Sequence, residues 1–98
     1  MKELVFSPRA RSDLDEIWDF TAERWDEEQA DSYLRRIFAA CEDLARGARI
    51  SRSAEGVRSG YRKYAVESHV VYFQESDSIL NVIRILHQQM DVPRHFRD

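Results

Sequence analysis

Cysteine is all but missing from these 98 residues: Cys41 stands alone, so no intrachain disulfide can form, and a reducing cytosol is the natural compartment. Cys41 lies on the apolar stripe of a helical pattern, where a free thiol reads as core rather than as a reactive group. Glycine and proline are scarce as well, at three and two, and no glycine-rich phosphate loop can be built from them. Neither HExxH nor a paired-cysteine spacing occurs, so no metal site and no cofactor are expected. No segment reaches 18 consecutive apolar residues, and the first residues lack a signal peptide's apolar run. The expectation is a cytoplasmic protein without a membrane partner.

A basic surplus is also lacking. The net charge is −3, divided as 7 basic and 12 acidic side chains in residues 1–48 (−5) and 8 against 6 in residues 49–98 (+2). Proteins that bind nucleic acid unaided gain most of their affinity by neutralising phosphates. Contact with DNA is therefore expected only through a complex with another protein.

What is present is 43% apolar and 34% charged residues, a composition suited to one globular domain over 1–98. A domain of this size buries only about 60 to 65% of its unfolded surface, so a tight partner can contribute much of its stability. Residues 2–6 favour a strand, and Ser7-Pro8 reads as an N-cap with proline at the first helical position. Ala10, Leu14, Ile17, Trp18, Ala22 and Trp25 recur at helical steps across 8–25, with Asp13, Asp15, Glu16, Asp19 and Glu23 assigned to an acidic outer face. Asp26 with Gln29 has capping-box spacing, the stripe resumes from Ala30 to Ala45, and Gly47 is placed as the stop. Beyond a polar loop at 48–55, short β-rich runs at about 57–66, 69–74 and 79–86 are separated by tight connections. The pattern predicts an α+β fold of order βααβββ, an antiparallel sheet with an αα-hairpin packed on one face. It leaves open where residues 2–6 pair. Residues 88–98 read as a tail that partly packs.

An enzyme should show convergent acid/base groups or a nucleophile with its base, and little of this is found. The carboxylates of the first helix fit a solvated face better than a catalytic pair. His87, with Arg84 and a tyrosine on one sheet face, has the makings of acid/base chemistry on an RNA 2′-hydroxyl, but histidine without a second positioned group fits better as the anchor of the tail. His69 alternates with Val71 and Phe73, as a structural or surface residue does, and His95 reads as solvated. Arg84 interrupts an apolar run, where an unpaired charge is costly. Two roles stand side by side for it: docking an acidic partner segment, or an internal bridge to Asp91 or Glu75. Arg58 and Arg62 share a predicted strand face with Lys63 on the other, and the tyrosines Tyr61, Tyr64 and Tyr72 lie close by in sequence. Basic and aromatic groups together serve base stacking or protein interfaces alike, and the missing positive surplus favours a protein partner.

The ordered set Phe6-Ser7-Pro8, Gly60-Tyr61-Arg62-Lys63-Tyr64, Ser68-His69-Val70-Val71-Tyr72-Phe73 and Ile83-Arg84-Ile85-Leu86-His87-Gln88-Gln89-Met90-Asp91 resembles the ParE toxins of the ParE/RelE superfamily over essentially the whole chain. The resemblance implies the toxin of a type II toxin–antitoxin pair, neutralised by a ParD-like antitoxin whose C-terminal segment wraps it. It further implies a non-catalytic toxin that traps DNA gyrase. The RelE branch instead cleaves messenger RNA on the ribosome with basic, tyrosine and histidine side chains. This chain keeps Arg62, Arg84 and His87 in that region, without the strong basic character or a tyrosine in its last ten residues. An mRNA interferase is the alternative, and a module that only binds its antitoxin is a third reading. The antitoxin is expected in a groove between the second helix and the sheet, with anchors at Leu34, Phe38 and Tyr72 and carboxylates on Arg62 or Arg84. The target is expected at the charged tail, through His87, Asp91, Arg94 and Arg97. No catalytic residue is assigned, and gyrase, topoisomerase IV and the ribosome are not separated as targets.

Overall fold

In a computed structural model, which describes residues 1–90 and 92–96, a four-residue strand runs directly into a helix. This strand, β1 (Glu3–Phe6), is followed by α1 (Pro8–Arg24). Ser7 sits between them in extended conformation and caps α1, its hydroxyl oxygen accepting the Ala10 N–H at 3.0 Å. The same hydroxyl donates to the Ile83 carbonyl at 2.7 Å, so one side chain both starts the helix and ties it to a distant strand. The second helix, α2 (Glu27–Ala45), is capped by Asp26, whose Oδ1 accepts the Gln29 N–H at 2.7 Å. It ends in a Schellman arrangement: Gly47 has φ +76°, its N–H reaches the Leu44 carbonyl, and the Ala48 N–H reaches that of Asp43.

Four more strands follow: β2 (Arg52–Ser53), β3 (Arg62–Val66), β4 (His69–Glu75) and β5 (Ile79–His87), then a one-turn helix α3 (Val92–His95). The sheet order is β1-β5-β4-β3-β2. The antiparallel meander is as expected, but the sheet is mixed, because β1 pairs parallel with β5 in the register Glu3↔Ile79 to Phe6↔Val82. This pairing explains why β5 reads as a nearly continuous apolar run: it lies between two strands and is covered on both faces.

Two further expectations are corrected. The loop before β3 contains the two-residue strand β2, paired through Arg52↔Lys63 and Ser53↔Arg62. The strand expected from Val57 begins only at Arg62, since Val57 and Arg58 both bond back to the Ala54 carbonyl and Gly60 turns the chain at φ +81°.

The helix-covered face of the sheet holds the main core. There Ala10, Leu14 and Ile17 of α1 and Leu34, Ile37, Cys41 and Leu44 of α2 meet Val71, Phe73, Leu80, Val82 and Ile85. Burial, aided by the neighbouring Glu42, pushes the Cys41 thiol up to about 12, which leaves it unreactive near neutral pH. The opposite face has its own cluster of Ala54, Tyr61, Tyr72, Leu86 and Phe96. Phe96 packs edge-on against Tyr72 and Tyr61 with centroids 5.2 and 5.5 Å away. Trp25, expected on the α1 stripe, is 69% exposed because the helix has already ended at Arg24. Among the described residues no helix is long and apolar enough to cross a membrane.

The two helix caps differ in what they hold, and their loss should differ accordingly. Ser7→Ala removes a cap and a tether to β5 and should cost about 2 kcal/mol, against about 1 kcal/mol for Asp26→Ala, which removes a cap alone. Urea denaturation midpoints of the two variants check the ordering.

Candidate functional site

β1 stops at Phe6, but β5 continues to His87, so the last half of β5 has no strand on that side. Asp13 of α1 takes over. Its Oδ2 accepts the Ile85 N–H at 2.9 Å and the Arg84 Nε–H at 2.8 Å, while Oδ1 accepts an Arg84 Nη–H at 2.8 Å. The register shift between Tyr72 and Phe73 leaves Ile83 as an extra residue in β5, and a bulge of this kind re-aims the side chains around it. Arg84 therefore reaches α1 on one side and the His95 carbonyl of α3, at 2.9 Å, on the other. Its pKa lies above the usual arginine value, chiefly through the hydrogen bond to Asp13.

Beside this clamp, α1 and the end of the β4–β5 hairpin enclose a cleft of about 420 Å³, lined by Asp13, Glu16, Ile17, Phe20, Thr21, His69, Ile85, His87 and Met90. His69 and His87 face each other across β4 and β5 with ring centroids 5.3 Å apart. Tyr33 of α2 bonds His69 Nδ1 at 2.7 Å, and its oxygen accepts the Ser68 N–H at 3.1 Å. With that oxygen already an acceptor, the Tyr33 hydroxyl is free to donate to the ring. Burial first, and His87 second, push the His69 pKa down to about 4, against a smaller opposing pull from Asp13. His69 is accordingly neutral at pH 7. His87 Nδ1 accepts the Gln89 N–H at 3.2 Å and its carbonyl accepts that of Met90 at 3.0 Å, so this histidine shapes the turn that follows β5. Among the described residues, no group of three histidine, cysteine or carboxylate side chains is arranged to hold a metal ion.

The residues expected at the antitoxin site do not converge. Leu34 and Phe38 do share a groove, of about 450 Å³, with Arg11, Leu14, Asp15 and Trp18. It lies between the two helices rather than between α2 and the sheet. Phe38 is 40% exposed there and meets Phe6 edge-on at 5.6 Å. Tyr72 is on the other face of the sheet, 4% exposed under Phe96, and a groove on the helix side does not reach it. Arg62 is half-buried and bound to Ser51, Nε to the hydroxyl at 2.6 Å and Nη to the carbonyl at 2.9 Å. Arg84 makes an internal bridge to Asp13 rather than to Glu75, which is paired with Lys2 at 2.9 Å; the other expected partner, Asp91, lies outside the described residues. Of the expected target residues, His87 lines the cleft and Arg94 is exposed on α3, while Asp91 and Arg97 lie outside the described residues. Arg58 leaves the face once assigned to it with Arg62 and donates to the Phe96 carbonyl at 2.7 Å.

Asp13 and Phe20 were both missed as site residues. Asp13 was assigned to the acidic outer face, yet it is buried, and the steps Ala10, Asp13, Leu14, Ile17 place it on the core stripe. Its position, not its charge, was the signal. Phe20 gave the converse signal, an aromatic off the stripe, and it is 66% exposed.

Two measurements follow from this geometry. Asp13→Ala strands Arg84 and the Ile85 N–H together and should cost about 3 to 5 kcal/mol in chemical denaturation. Adding Arg84→Met should recover only part, because an orphaned buried N–H still costs about 1 to 3 kcal/mol. Secondly, because the folded His69 pKa is depressed from 6.5 to about 4, the folded state resists a proton that the unfolded state takes up. That contribution to stability is complete above pH 6.5 and is lost as pH falls toward 4. The urea midpoint should drop over this window, and less steeply in His69→Gln.

Comparison with known proteins agrees with this fold. Residues 4–92 match the family described as the ParE toxin of the type II toxin–antitoxin system parDE. Toxin ParE1 of Mycobacterium tuberculosis is 40% identical over 92 residues, covering 93% of this chain and 94% of that protein. Toxin ParE1 of Caulobacter vibrioides is 39% identical over 95 residues, covering 97% and 98%. Among solved structures, the chromosomal ParDE toxin–antitoxin system from P. aeruginosa superposes with a TM-score of 0.77 at 22% identity, over 89% of this chain and 96% of that one. YafQ in the E. coli DinJ–YafQ complex superposes at 0.63 and 13% identity, over 89% and 93%; at such identities the likeness is one of fold. On the family match and the two sequence relatives, the chain belongs to the ParE toxin family of type II toxin–antitoxin systems.

Proposed function

We propose that this toxin acts without chemistry of its own, by protein contact with DNA gyrase, and that a ParD-like antitoxin neutralises it. The observation that carries the non-catalytic reading is the state of the sheet's cations. An RNA-cleaving relative would present arginine, tyrosine and histidine side chains to the phosphate. Here Arg84 is engaged by Asp13 and by the His95 carbonyl, and Arg62 by Ser51. Tyr61 and Tyr72 are buried beneath Phe96. Of the two histidines in the cleft, His69 is held at about 4, away from the working pH at which acid/base catalysis needs a titrating group, and the Nδ1 of His87 is engaged by the Gln89 N–H.

The groove between α1 and α2 suits the antitoxin. An amphipathic helix laid along it would meet Leu34, Phe38 and Trp18 with its apolar face, with Arg11 and Asp15 at the margins to pair with charges of either sign. Tyr72 and Arg84 have no part in that docking, since both are engaged inside the fold. Gyrase as the target rests on family membership.

Titrating the purified chain into a gyrase supercoiling reaction should abolish supercoiling at a toxin concentration comparable to that of the enzyme. Gyrase that remained fully active, together with cleavage of messenger RNA at defined codons in a translating extract, would sink this reading in favour of an interferase.

A further inference from the structure

The two grooves occupy opposite flanks of α1. Arg11, Leu14, Asp15 and Trp18 face the groove shared with α2, whereas Asp13, Glu16, Ile17, Phe20 and Thr21 face the cleft shared with β5. A segment seated in the first leaves the second open.

The second cleft has the character of a docking surface. Phe20 and Met90 line it while standing 66% and 42% exposed to solvent, a cost to the isolated chain that a partner's apolar group would relieve. Ile17 and Ile85 form buried apolar walls, and the neutral His69 adds no positive charge. Among the described residues, no lysine or arginine lines it. Asp13 is paired with Arg84, and Glu16, the other carboxylate of the described lining, adds a second negative charge beside that one guanidinium. Asp19 and Glu23 extend the row of exposed carboxylates along the same helix, with Arg24 beyond the lining at the helix end. An apolar slot bordered by carboxylates is complementary to a large apolar side chain carried between lysines or arginines.

We propose that the α1–β5 cleft is the surface by which this toxin engages its target, receiving an apolar side chain from a basic segment of that protein. This rests on the reading that the toxin acts by protein contact. It also moves the expected target site from the charged tail to the cleft, retaining His87.

Purified Phe20→Asp, the charge reversal Glu16→Lys/Asp19→Lys, and the remote control Ile50→Asp, at a position 93% exposed, are compared with the wild-type chain against gyrase holoenzyme in the supercoiling assay. All four positions lie on the surface, and unchanged thermal midpoints check that each variant folds. Phe20→Asp and the charge reversal should each raise the half-inhibitory concentration about tenfold or more, the span expected of a central anchor, with Ile50→Asp unchanged. Inhibition by the wild-type chain should weaken as salt is raised, and that of the charge reversal should not. Full potency of Phe20→Asp, or equal loss in Ile50→Asp, overturns the proposal. So does a wild-type dimer in sedimentation that Phe20→Asp dissolves without changing inhibition, since the cleft would then be a contact between copies. A wild-type chain that arrests bacterial growth yet leaves gyrase active removes the gyrase assignment alone, and growth arrest becomes the readout. Arrest lost in Phe20→Asp then supports the cleft, and arrest retained overturns it. A wild-type chain that arrests nothing overturns both readings.

Discussion

The buried carboxylate of Asp13 is the constraint around which this fold is arranged. A helix packed across the end of a sheet leaves backbone donors stranded where the neighbouring strand has stopped, and an N–H out of reach of water must find a partner. Asp13 gives one oxygen to the Ile85 N–H and both to Arg84. The arginine, thus compensated, spans the edge of the sheet to hold the carbonyl end of α3. Three parts far apart in sequence meet on one side chain. Such a network is worth little unless every member is satisfied, and this one is.

Its position also determines how the side chains of the sheet are used. With Arg84 turned to Asp13 and Phe96 lodged between Tyr61 and Tyr72, the face away from the helices is covered in part by Val92 and Phe96. Groups that could otherwise present charge and ring to a nucleic acid are used for cohesion. Surface capable of recognition is left beside α1, which carries a different groove on each flank.

Local signals in the sequence were informative. The caps at Ser7 and Asp26, the glycine stop at residue 47 and, apart from Asp13 and Trp25, the stripes of both helices depend on neighbours within a few residues, and each lies where the local pattern puts it. What depended on distant partners was illegible. The parallel pairing of β1 with β5 joins segments more than seventy residues apart, and no local pattern encodes it. Strand alternation groups His69 with Val71 and Phe73 but does not say which side the helices cover, and Tyr72, expected in the groove beside the second helix, lies on the opposite face. Arg84, a charge in an apolar run, needs a partner on sequence grounds alone, but the charge of Asp13 points to solvent while its place on the helix points to the core, and only the second identifies it as that partner. Val57 to Tyr61 looked extended because its alternation is intact, while the turn at Gly60 follows from backbone bonds to Ala54.

The margins of the sheet carry one more implication. A strand edge left open invites pairing with another chain, the usual first step toward aggregates. Here one margin is a strand of four residues, tied at its start by the Lys2 N–H to the Ala45 carbonyl, and the other is a strand of two. Beyond β1, the edge of β5 is occupied by Asp13, which takes the Ile85 N–H, so neither margin offers a long template. A toxin must at some time exist uncovered, and a sheet with such short borders can meet that interval without recruiting copies of itself into fibrils.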